Sequence, residues 1–337
     1  MRRVLLTLGY LVVATGIIAA GVAIWGYAEY TRPGPSDVSR VVVVERGRGI
    51  QEIGGILKRA GVVQHAEVFV FGARVSGHAS RLKAGEYRFP PSVSPREVVE
   101  ILMSGRTVVR RITLVEGLTT GQVLDRVRAS DGLFGTITRQ PEEGSLLPET
   151  YHFSWGDTRD GLIARMQMDM QNLLARLWPE RKHGLPFSTP EEAVILASII
   201  ERETAKPDER AVIAGVFANR LHRGMKLQSD PTVAYGIAPR GLNRPMTRAD
   251  TAKPTPYNTY VIAGLPPTPI CNPGEASIRA ALNPADVDYL YFVADGTGGH
   301  TFARTLAEHQ RNVRNWRRVR NRRTGTEPAG QGDGTRQ

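Results

Sequence analysis

The chain has 337 residues and a single cysteine, Cys271. One thiol cannot form an internal disulfide, so a disulfide-built secreted scaffold and a cysteine-rich zinc site are both excluded. Cys271 itself reads as a small buried hydrophobe. Acidic residues are scarce as well: 33 Asp and Glu stand against 44 Lys and Arg, a formal charge of +11. That excess points to an anionic partner, such as nucleic acid, lipid headgroups or an acidic polymer, without choosing among them. No GK[ST] or G-x-G-x-x-G follows a strand pattern, so "DGTGGH" is not a phosphate loop. His300 and His309 have no zinc-type spacing and read as structural histidines. Neither a metal nor a cofactor is expected.

Charge is absent from one long stretch. Residues 4–27, "VLLTLGYLVVATGIIAAGVAIWGY", carry none, and at 1.5 Å per residue they can cross a bilayer core of about 30 Å. Tyr10, Trp25, Tyr27 and Tyr30 are interface-type aromatics, and Arg2 and Arg3 precede the span. The positive-inside bias keeps the N-terminus cytoplasmic and exports the rest, a single-pass inner-membrane topology that removes nucleic acid as a partner. The rival is a cleaved signal peptide, whose apolar region is usually about 7–15 residues; length favours the uncleaved anchor.

The remaining pattern is α+β. "TRPGPSD" reads as a linker within 28–38. Residues 39–106 alternate strand patterns ("RVVVVE", "LKAGEYRF") with helical ones, the last opening with Ser94 as cap and Pro95 in its first turn. Residues 107–320 form a second, larger α+β domain. It contains the helix "STPEEAVILASIIERET", with Ser188 and Thr189 as cap candidates, a break at Lys206-Pro207, and the helix "DERAVIAGVFANRLHRG". Residues 225–284 are rich in Pro, Gly, Thr and Asn and read as long functional loops. The strand "DYLYFVAD", a "GTGGHTF" turn and a basic helix follow. The tail, 321–337, is polar and Gly-rich and reads as disordered.

Two acids end the apolar helix. Glu201 shares a face with Val194, Ala197, Ser198, Thr204 and Ala205; Glu203 shares one with Leu196, Ile199 and Ile200. A carboxyl on either face loses hydration, its pKa rises, and it becomes suited to general acid work. Periodicity does not choose between them, and pairing with Arg210, Arg220 or Arg223 is the structural alternative.

The segment "ILASIIERET…ERAVIAGVFANRL", followed by "LQSDPTVAYG", resembles the YceG-like family of endolytic murein transglycosylases. "LLPETYHF", "YNTY…GLPPTPICNPG" and "YLYFVADGTGGHTF" match in the same order, so the resemblance runs from the span to about Arg320. It implies a single-span envelope enzyme with a LysM-like module at 39–106 and a catalytic domain at 107–320. The implied activity is lyase cleavage of the peptidoglycan glycan strand after N-acetylmuramic acid, leaving a 1,6-anhydro end and ending the elongation of nascent strands. Peptidoglycan synthases are the implied partners. The resemblance also assigns the catalytic acid to Glu201. Gln228, Ser229, Asp230 and Thr232, then Tyr257, Asn258 and Tyr260, and finally Glu149, are the expected substrate-binding residues. A non-catalytic scaffold that binds peptidoglycan is the alternative function.

Overall fold

The computed structural model describes residues 2–324; Met1 and residues 325–337, which include most of the expected tail, lie outside the described residues. It opens with one long apolar helix, α1 (Arg2–Thr31). Its stretch Leu6–Thr31 has a mean hydropathy of 2.1 and is long and apolar enough to cross a membrane.

The chain divides into two compact units. The first holds α1 and a small α+β module: β1 (Arg40–Val44), α2 (Ile50–Arg59), α3 (Ala66–Val75), β2 (Gly85–Phe89) and α4 (Pro95–Ser104). β1 and β2 pair antiparallel, with Val42 opposite Tyr87. Val42, Val44, Leu57, Phe69, Tyr87, Phe89 and Leu102 form its core. α4 begins as the sequence predicts, with Pro95 in its first turn, Ser94 accepting from the Glu97 N–H, and Glu97 answering the Ser94 N–H.

The segment expected to be a linker is docked. α1 runs on to Thr31, and Tyr30 packs on the module's core. Trp25 meets His65 edge-on at 5.9 Å. Beyond the helix, the Gly34 N–H donates to the Ser92 carbonyl at 3.1 Å, and the Ser92 N–H donates to the Ser36 carbonyl at 2.6 Å. Tyr30 faces a glycine, Gly72, whose missing Cβ leaves room for its ring.

β3 (Val109–Thr113) and β4 (Thr150–Ser154) form a second two-stranded sheet; between them lies α5 (Thr120–Ala129). The second unit then runs through α6 (Arg159–Leu177), α7 (Pro190–Glu203), α8 (Pro207–His222), α9 (Asp230–Ile237), α10 (Arg248–Ala252) and α11 (Glu275–Leu282). It closes with β5 (Tyr291–Ala294), β6 (His300–Ala303) and α12 (Leu306–Thr324). α7 is the hub: every residue from Ala193 to Ile200 is buried, packed among α6, α8 and α11. Thr189 caps it, with Glu192 closing the box. The stretch 225–284 is less loop-like than its composition suggests. Pro231 opens α9, Thr247 caps α10 and Gly274 precedes α11, so residues read as loop formers act as helix starts. α12 likewise continues through residues 321–324 of the expected tail.

Giving residue 72 a side chain should unseat Tyr30. Gly72→Ala overpacks that contact, at a cost of about 1–3 kcal/mol. Limited proteolysis of the full chain should then cut within residues 31–39 faster than in the wild type; an unchanged rate would show that Tyr30 does not hold the segment.

Candidate active site

In the second unit an open cavity of about 430 Å³ is lined by Glu203, Arg220, Gln228, Asp230, Tyr260, Tyr291, His300 and His309, with Leu227, Phe292, Val293, Ala294 and Leu306 between them. Four parts of the chain build it. α7 supplies its last residue, Glu203, and α8 supplies Arg220. The turn before α9, with Tyr260, forms one wall, and the β5–β6 hairpin with the start of α12 forms the other.

Glu203 is the acid of this cavity. Burial pushes its carboxyl up to about 7, and the Asp230 charge acts in the same direction. A hydrogen bond from Ser229 Oγ to Glu203 Oε1 and the Arg220 charge work the other way, as does His300 whenever its ring is protonated. Its place in the last turn of α7, where the helix presents carbonyls, also disfavours an anion. The result is a carboxyl that holds its proton near neutrality and has ionic and hydroxyl partners ready when it releases it.

Its neighbours are held firmly. The Arg220 guanidinium is buried and donates to the Leu290 carbonyl at 2.6 Å and the Leu227 carbonyl at 2.7 Å; it also lies 5.3 Å from the Tyr291 ring centre. Tyr260 Oη donates to Asp230 at 2.7 Å. Ser229 is fixed by a hydrogen bond from its N–H to Thr259 Oγ1 at 2.9 Å, and Thr232 bonds both the Ser229 carbonyl and Thr259.

Of the residues the sequence nominates, Gln228, Asp230 and Tyr260 line the cavity, Ser229 reaches Glu203, and Thr232 supports Ser229 from behind. The other four lie elsewhere. Glu201 stands two residues before Glu203, about 200° around the helix. Its carboxylate accepts the Gly274 N–H at 3.1 Å and lies 3.8 Å from Arg210, which also faces Glu116. These contacts tie the end of α7 to the loop before α11, and Glu201 is not among the residues that line the cavity. Tyr257 packs edge-on against Tyr235 at 5.0 Å and bonds Thr268. Asn258 is fully buried and staples the carbonyls of Thr251 and Lys253 while accepting the Tyr260 N–H. Glu149 is exposed and bonds the backbone of Thr150.

The sequence reading passed over Arg220, Tyr291, His300 and His309. Its spacing from His309 marks His300 only as structural, yet its glycine-rich turn delivers it to the cavity. The turn is pinned by Asp295, which accepts from the Thr297 and Gly299 N–H groups. Arg220 had been counted only as an ion-pair partner.

An α+β fold carrying one proton-holding carboxyl in an open, polar cavity is suited to acid–base work. Residues 42–315 match the YceG-like family model, and the chain belongs to the YceG-like family. It is similar to the endolytic murein transglycosylase of Bacillus subtilis strain 168, with 30% identity over 299 residues, 80% of this chain and 82% of that protein. It is 31% identical over 318 residues to the endolytic murein transglycosylase of Streptococcus pneumoniae D39, where the match covers 81% of this chain but 57% of the relative's length. A crystal structure of a putative YceG-like protein from Listeria monocytogenes superposes with a TM-score of 0.52 at 30% identity, covering 82% of this chain and 99% of that one.

The raised carboxyl has a stability signature. Between its ordinary 4.5 and about 7, the folded chain keeps a proton at Glu203 that the unfolded chain has released. Stability therefore falls as pH rises through that window and stays lowered above it. Glu203→Gln removes this titration. Its melting temperature should exceed the wild type's above pH 7, and the excess should vanish toward pH 4.5; equal melting curves at both ends would place the raised carboxyl elsewhere.

Proposed function

We propose that this chain is a membrane-anchored endolytic lytic transglycosylase of peptidoglycan and that Glu203, not Glu201, is its acid and base. The observation that carries the reading is the protonated carboxyl in the cavity of a YceG-like chain whose named relatives are endolytic murein transglycosylases. Glu203 gives its proton to the glycosidic oxygen leaving the N-acetylmuramyl C1, and that C–O bond breaks. The carboxylate then takes the proton of the same sugar's 6-hydroxyl, whose oxygen bonds to C1. The 1,6-anhydro end forms, Glu203 is protonated again, and no water is consumed.

Ser229, which donates to the carboxylate, and Arg220, whose charge favours it, stabilise Glu203 between the two transfers. Gln228, Asp230 and the half-buried Tyr260 are polar groups suited to sugar hydroxyls and acetamides. α1 anchors the chain with its following residues outside the cytoplasmic membrane, so the cavity meets strands where they emerge. Release of nascent strands from their synthases is the biological setting this implies, and the small module at 39–106 is read as LysM-like.

Asp230 favours one second reading, because its carboxylate lines the cavity with Glu203. As a base for water it would make the enzyme a hydrolase with two carboxylates. Product mass separates the two chemistries, since an anhydro end is lighter than a reducing end by one water.

The full chain in detergent, given purified glycan strands, should yield anhydro-muramyl ends. Glu203→Gln should lose about 10²–10⁴-fold or more in rate, because both proton transfers use the one group. Glu201→Gln, if it folds, should retain most activity. In the wild type kcat/KM should fall as pH rises past about 7, when the acid form is depleted. An active Glu203→Gln with an inactive, folded Glu201→Gln would return the role to Glu201; reducing ends would install the hydrolase.

A further inference from the structure

We propose that His300 is a positioning residue for the bound saccharide, held by Glu209 so that its Nε2 presents a lone pair to a substrate hydroxyl or acetamido N–H. The inference rests on the saccharide reading above and adds a residue to that same cavity.

The carboxylate of Glu209 takes hold of His300 twice. It accepts the His300 N–H at 2.9 Å and lies 2.7 Å from Nδ1. Thr204 Oγ1 donates to it as well, at 3.2 Å. Burial pushes the Glu209 carboxyl up, but the hydrogen bonds from His300 and Thr204 outweigh it and hold the group below its ordinary value, as an anion. An anion at Nδ1 requires the proton there, which leaves Nε2 as the acceptor in the neutral ring. Phe292 fixes the ring plane from the side, edge-on at 5.3 Å. Glu209 does not line the cavity and His300 does, so the ring turns Nδ1 toward the protein wall and its opposite edge toward the open space. Nε2 makes no hydrogen bond among the described residues.

The backbone is arranged for this grip. A Cβ at position 299 would fall 2.5 Å from Glu209 Oε1 and against Lys206 Nζ, so glycine there leaves room for the carboxylate beside the His300 N–H. A histidine present only to fill the wall would not need the double contact. Gln228 brings an amide oxygen to the cavity, but the other polar groups are committed: Asp230 Oδ1 is engaged by Tyr260, Arg220 spends its guanidinium on the Leu227 and Leu290 carbonyls, and Glu203 in its acid form must keep its proton for the glycosidic oxygen. An acceptor that is not itself the acid is the group a fixed hydroxyl needs.

The test measures kcat and KM of the full chain in detergent on purified glycan strands for Glu203→Gln, His300→Asn and His300→Gln. Asparagine can keep the contact to Glu209 but puts nothing where Nε2 stood; glutamine can place an amide oxygen there. His300→Asn is expected to raise KM about tenfold with a smaller change in kcat and an unchanged melting temperature, and His300→Gln to recover much of that loss. His300→Asn with wild-type kinetics overturns the proposal while an inactive Glu203→Gln leaves the enzymatic reading standing. Equal losses in both histidine variants together with a lowered melting temperature overturn it in favour of a wall residue. An active Glu203→Gln removes the reading on which the proposal rests.

Discussion

The site depends on keeping one carboxyl largely out of water at the carbonyl end of a buried helix. Burial and helix polarity both oppose ionisation of Glu203. Ser229 and Arg220 act against this, with His300 beside them in the cavity wall. Each comes from a different part of the chain and each is anchored behind: Ser229 by Thr259, Arg220 by carbonyls at residues 227 and 290, His300 by Glu209. The acid's balance is therefore a property of the packing of the second unit, and α7, buried from residue 193 to 200, is the element that packing is built around.

That origin explains what could be read from the sequence. The apolar span, the α+β class, the caps Ser94 and Thr189 and the break before α8 depend on neighbours a few residues apart, and they were legible. The choice between Glu201 and Glu203 was not. Both face buried side chains of one helix that is apolar all round, so hydrophobic periodicity carries no direction there. What separates them is distant in sequence: the Gly274 N–H and Arg210 on one side, Ser229 and the hairpin on the other. The assignment that the resemblance implies and the one proposed here differ by two residues, and the partners around each carboxyl are what supports the proposal.

The loop-rich stretch fails as a reading for a related reason. Pro, Gly, Thr and Asn mark turns, but they also mark helix starts, and composition does not tell the two apart. Here they open three short helices, and the polar residues between them divide their work. Asn258 and Thr259 spend their hydrogen bonds on backbone and hydroxyl partners that hold the wall in shape. Gln228, Asp230 and Tyr260 face the opening. The backbone of Gln228 lies in the left-handed region, at φ 52°, which is uncommon for a residue with a side chain. Its N–H donates to the Thr259 carbonyl, so the same wall that supports Ser229 also fixes the conformation at 228.

The seating of Tyr30 adds a constraint at the other end of the chain. Trp25 and Tyr30 are five residues apart, a rise of about 7.5 Å along α1, and both touch the module, one at His65 and the other over Gly72. Contact with the module thus begins inside the stretch that is apolar enough to cross a membrane. A bilayer around α1 would meet the module at the depth of its own aromatic residues, without a flexible spacer between them. In such an arrangement the first unit takes its orientation from the helix rather than from a tether, and Pro33 and Gly34 serve to turn the chain out of α1 and into the module's first strand.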